Sequence, residues 1–102
     1  MVRSRTVTRQ SRSARRSLDS ARVLDQVVET QLPLVSRLPE ASRHRAADYL
    51  AELVLLAQSY RHHAAGWISR RELDRRGLDT MRRLATIRRR SHPSSVQFTE
   101  RD

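Results

Sequence analysis

The sequence predicts an all-α fold: a small antiparallel bundle of three main helices, led by a disordered basic N-terminal tail and expected to self-associate. Three observations carry this expectation. Apolar residues recur at spacings of three and four through most of residues 18–90, the period of a helix with one buried face. Only two glycines and three prolines occur in 102 residues, too few breakers for the many turns of a small sheet protein. Runs of alternating β-branched residues, the mark of a half-buried strand, are missing from the sequence.

The first helix is expected from Ser17 or Leu18 to Gln31, where Leu18, Ala21, Leu24 and Val28 keep a spacing of three or four with Val27 beside them. Pro33 disfavours helical dihedrals at Leu32. LPLVSRLP therefore reads as a tight connector, and Pro39 suits the first turn of the next helix, with Glu40 favourable to its dipole.

The second helix, Pro39 to His63, has the cleanest period. Ala46, Leu50, Leu53, Ala57, Tyr60 and Ala64 step by 4, 3, 4, 3 and 4, a coiled-coil-like seam. Tyr49, Val54, Leu55 and Leu56 widen its apolar arc beyond the roughly 100° of an ordinary surface helix. Two neighbouring helices cannot cover such an arc. Leu50, Leu53, Leu55, Leu56 and Tyr60 are thus expected to serve as core and as the seam of a homo-oligomer.

The turn that follows is strongly marked. Gly66 is placed to end the second helix in a left-handed conformation. Ser69 and Glu72 form a capping-box pattern flanked by Ile68 and Leu73, so the third helix is expected from Arg70 to Arg90. Residues 1–17 are expected to be a disordered Arg/Ser-rich tail, 18–90 the bundle and 91–102 a flexible C-terminal tail.

Composition limits the function. With no cysteine, a disulfide framework and a thiolate metal site are ruled out, and an intracellular, cytoplasmic setting is expected. The longest apolar run, Leu53 to Ala57, is far short of the ~20 residues of a membrane span. His62 and His63 are adjacent and point about 100° apart on a helix, and no carboxylate completes a metal set with them or His44. Asp48 and Glu52 share a helix face and read as surface solubilisers. There is no glycine-rich phosphate loop and no nucleophile elbow. No catalytic activity, cofactor or metal is expected.

The charge is more informative. Net charge is +10, and all 21 basic residues are arginine. A GC-rich genome would produce that bias without function, yet arginine's planar fork grips phosphate in a way lysine does not. Residues 1–17 hold six arginines and no acid, 18–68 five arginines against six acids, and 69–90 nine against three. On a helical wheel Arg71, Arg75, Arg76, Arg82, Arg83, Arg89 and Arg90 fall in an arc of roughly 140° opposite the apolar residues of the third helix. From Arg71 to Arg90 the stripe runs about 28 Å, long enough to follow several phosphates. Glu72–Arg76 and Asp79–Arg83 are spaced to pair within the helix, leaving about five effective charges on the stripe. Arg3, Arg5, Arg9, Arg12, Arg15 and Arg16 of the tail add contacts of the same sign. The expectation is nucleic-acid binding, RNA or DNA, through the backbone. Tyr49 and Tyr60 lie on the apolar side of the second helix and only Trp67 and Phe98 remain, so no aromatic-rich single-strand platform is expected.

The passage LPLVSRLPEASRHRAADYLAELVLLAQSY, with the turn and arginine-rich helix that follow it to Arg90, resembles the small basic four-helix-bundle proteins typified by the accessory variability determinant of diversity-generating retroelements. The resemblance rests on a proline-marked connector, a long apolar helix and a basic helix in succession. It implies a ring-shaped homopentamer, nucleic-acid binding through the Arg71–Arg90 stripe, and a reverse transcriptase as partner. Two other readings fit the residues. Ser69 to Asp79 followed by Thr80 to Arg90 would suit a helix-turn-helix DNA-binding protein. An adaptor that docks an acidic protein through the second helix would need no nucleic acid.

Overall fold

The computed structural model describes residues 11–91, which form three helices: α1 (Arg12–Val35), α2 (Glu40–Ala64) and α3 (Arg70–Ser91). The expected all-α bundle is what forms. The expectations for residues 1–10 and 92–102, and the contacts assigned to Arg3, Arg5 and Arg9, lie outside the described residues.

α1 is longer at both ends than its apolar period suggests. It starts at Arg12 because Ser11 caps it, its Oγ accepting from the Ala14 N–H at 3.0 Å, which satisfies one of the orphan donors of the first turn. Residues 12–17, expected to belong to a disordered tail, are therefore helical. The reason is packing as well as the cap: Ala14, Ser17 and Ala21 are buried, and their small side chains let α1 approach α2 closely. At the other end α1 runs through Pro33 to Val35, where a connector was expected. Pro33 sits in the last turn, so its missing N–H costs only one internal hydrogen bond. Val35 packs on the core and anchors that turn. The chain then reverses through bonds from the Arg37 and Leu38 N–H groups to the Leu34 and Val35 carbonyls.

The other boundaries follow their local signals. Pro39 caps α2 in an extended conformation and Glu40 lies in its first turn. Gly66 has φ 83° and is the only described residue with positive φ; the Gly66 N–H donates to the His63 carbonyl and the Trp67 N–H to that of His62. The Ser69 Oγ accepts from the Glu72 N–H at 3.0 Å, the expected cap of α3.

α2 is central, with α1 and α3 both packed against it. Ser17 on α1 meets His63 on α2, while Tyr49 and Glu52 on α2 meet Arg88 and Arg83 on α3, so neighbouring helices run antiparallel. The apolar core is small. Leu50, Leu53 and Leu84 form its centre with Leu24, Val28, Val35 and Tyr49 packed around them, and Ala14, Ala21, Ala57 and Leu73 complete the buried apolar set.

α3 is unbroken from Arg70 to Ser91, and Thr80 within it is buried. That removes the turn a helix-turn-helix would require between Gly77 and Thr80. A Cβ built at Gly77 meets nothing within 4 Å, so nothing opposes the gain in helix propensity from a methyl group. Gly77→Ala is expected to stabilise the fold by about 0.4–1 kcal/mol, read as a higher Tm with unchanged helical circular dichroism; a lower Tm would show that α3 bends there.

Candidate nucleic-acid interface

α3 presents its arginines as one line and one flank. Arg71, Arg75, Arg82 and Arg89 lie within about 40° of each other, directly opposite the packing face that holds Leu73, Thr80 and Leu84. Arg76, Arg83 and Arg90 lie on the flank. All are exposed except Arg76, which is half-buried.

Ion pairs divide them differently from the sequence spacing. Glu72 takes two arginines: Arg75 at 3.1 and 2.5 Å, and Arg76 at 2.9 Å. Asp79 reaches Arg75 at 3.6 Å and Arg82 at 3.4 Å, and the expected Asp79–Arg83 pair does not form. The Arg83 Nε instead donates to the Glu52 carboxylate on α2 at 2.7 Å. Glu52 thus joins two helices and is more than a surface solubiliser. Arg89 donates to the Thr86 hydroxyl at 3.3 Å. Arg71, Arg89 and Arg90 have no carboxylate partner among the described residues, so three of the seven are uncommitted where the sequence spacing suggested five.

The pairs also fix the ionisation of the face. Hydrogen bonds from Arg75 and then Arg76 hold the Glu72 carboxyl below its ordinary value. The Arg75 guanidinium is raised by its hydrogen bond to Glu72, and Arg83 by its bond to Glu52. Each shift favours the charged form. Arg75 and Arg82 are exposed in pairs of the weak surface kind, so a phosphate can compete for them, whereas Arg83 is held across to α2 by a Glu52 side chain that is only 16% exposed.

More basic residues gather at one end of the bundle than the stripe alone supplies. There α1 and α3 begin and α2 ends: Ser13 and Arg16 of α1 line a cleft with Arg70, Leu73 and Asp74 of α3, and the Ser17 hydroxyl is 2.7 Å from His63 Nδ1. Arg12, Arg15 and Arg16, assigned to the tail by sequence, are exposed on the first turns of α1. Arg61 pairs with Asp25 and Arg70 with Asp74 at 3.3 Å. The sequence carries a signal for this gathering, the short turn between α2 and α3, but the placement of α1 beside it depends on packing.

Of the expected seam, Leu50 and Leu53 are buried in the core, Leu56 and Tyr60 are half-buried, and Leu55 is 50% exposed beside Val54 at 48%. His62 lies against the Trp67 ring. Among the described residues no group of three or more histidine or carboxylate side chains is placed to hold a metal ion, and no helix is long and apolar enough to cross a membrane. No family model matches the chain, and no curated protein or solved structure does either.

Proposed function

We propose that this protein is a non-catalytic nucleic-acid-binding accessory protein that grips the phosphate backbone through the outer face of α3. The observation that carries the reading is the line Arg71, Arg75, Arg82 and Arg89 on the side of α3 turned away from α2, with Arg71, Arg89 and Arg90 free of carboxylate partners among the described residues. A line of four guanidinium groups, two of them shared with Glu72 and Asp79, is an electrostatic track for a polyanion. Phosphate contacts of this kind hold a strand without reading its sequence. An enzyme acting on that strand, a reverse transcriptase or other nucleic-acid enzyme, is the kind of partner such a protein would serve, within the cytoplasm.

The test is the salt dependence of binding. Each neutralised phosphate releases counterions, so on a duplex log K should fall against log salt with a slope of about −3 if only the three arginines without carboxylate partners engage and about −6 if the four paired ones engage as well. A slope near zero, or no binding at low salt, would refute the reading.

Self-association belongs to the same proposal. Val54 and Leu55 stand exposed on the side of α2 that neither α1 nor α3 covers, and burying both in a second copy would complete the core of a small domain. Leu55→Glu is expected to convert an oligomer to a monomer in sedimentation velocity at micromolar concentration, with helicity retained. A monomeric unsubstituted protein would remove this part of the proposal.

A further inference from the structure

Trp67 is the single tryptophan of the chain, and it is 74% exposed. An indole usually buries much of its large apolar surface, so leaving this one in water calls for a reason. The ring is not placed by a loose loop. Gly66 turns the backbone with φ 83°, the Trp67 N–H donates to the His62 carbonyl at 2.9 Å, and the His62 imidazole lies behind the indole with ring centroids 5.2 Å apart and planes tilted by 35°. The seat is held by backbone bonds at the junction of two helices.

Its surroundings are basic. Arg71, uncommitted to any carboxylate among the described residues, follows Trp67 by four positions and opens the arginine line of α3. Arg12, Arg15 and Arg16, at the same end of the bundle, are likewise without a carboxylate partner among the described residues. A cationic track that ends at an exposed, backed aromatic ring matches two parts of one ligand: phosphates along the track and a base face on the ring. A duplex keeps its base faces stacked inside and offers one only at its ends; a single strand offers one at every nucleotide.

We infer that Trp67, backed by His62, is a stacking seat for an unpaired nucleobase at the Arg71 end of the α3 arginine line, which makes single-stranded nucleic acid the preferred ligand. This rests on the reading of α3 as a backbone-binding face and adds the strand type to it.

The experiment uses the full chain with oligothymidylate and oligouridylate of about 20 nucleotides and a blunt duplex of about 20 base pairs, each titrated over the same series of salt concentrations. Because Trp67 is the only tryptophan, its fluorescence reports on the seat directly. Quenching by both single strands is expected, with Trp67→Ala weakening single-strand binding about 5- to 100-fold and duplex binding by less than about twofold. Trp67→Phe should restore most of the affinity, and the salt slope of Trp67→Ala should match that of the parent, since no phosphate contact is lost. Quenching by only one of the two strands would assign the seat to DNA or to RNA and supports the inference. Binding with a normal salt slope but no quenching would overturn the seat and leave the α3 reading standing. Equal losses on single strand and duplex, or a changed sedimentation coefficient in Trp67→Ala, would also overturn it, because Trp67 would then support fold or assembly. Absence of binding to all three probes would overturn both.

Discussion

Replacing Arg71, Arg89 and Arg90 together by glutamine is expected to flatten the salt dependence of nucleic-acid binding by about 2 to 3 units of slope, at about 0.9 per duplex contact and 0.7 per single-strand contact. Near 0.15 M salt that corresponds to an affinity loss on the order of 100-fold on duplex. These three are chosen because no carboxylate shares their charge among the described residues. Arg76→Gln with Arg83→Gln is the matched control: these two arginines are already bound to Glu72 and Glu52, and the slope should change by less than about one unit. Glutamine is close to arginine in helix propensity, so α3 should keep its helicity. All base sequences should weaken about equally, since phosphate contacts carry no sequence information. An unchanged slope in the triple variant would make the arginine face a merely solvated one and redirect the search for a partner to the exposed side of α2.

The largest effect on stability is expected from Leu53→Ala. Leu53 is 7% exposed and sits with Leu50 and Leu84 at the centre of the core. Truncating a buried leucine removes its transfer energy and leaves a cavity, a loss of about 2–5 kcal/mol. Three of the seven buried apolar residues are alanines, so the remaining side chains have little bulk with which to fill the space. In a domain this small that loss is a large share of the total stability, and a fall in Tm of roughly 10–20 °C or outright unfolding should follow. Val54→Ala, on the same helix but half exposed, should cost under about 1 kcal/mol in the dissociated protein. A small effect of Leu53→Ala would place the stabilising contacts at the oligomer seam and leave the intrachain core a minor contributor.

The ends of α2 and α3 were legible because each depends on a few adjacent residues. Pro39, Gly66 and the Ser69–Glu72 pair act through backbone dihedrals and single capping bonds, whose energies do not depend on what lies across the bundle. The arginine face was legible for a similar reason: once a stretch is helical, which residues share a side follows from 3.6 residues per turn. α1 shows where such reasoning stops. Its apolar period begins at Leu18, yet the helix starts six residues earlier because Ser11 caps it and Ala14 and Ser17 pack on α2. It also continues past Leu32, where Val35 packs partly buried against the core and Pro33 costs one internal hydrogen bond.

By itself, then, the sequence determined the helical class, the α2–α3 turn and the segregation of arginine to one side of α3, all of them consequences of interactions within four or five residues. Only the tertiary structure decided that α2 buries Leu50 and Leu53 and leaves Val54 and Leu55 exposed, that Arg83 pairs with Glu52 at a separation of 31 residues, and that Trp67 stands in solvent at the basic end of the bundle. The physical reason is that an apolar arc wider than one helix can cover has several ways to be packed. The choice among them is made by the summed burial and ion pairing of residues far apart in the chain, a quantity to which no local window of sequence has access.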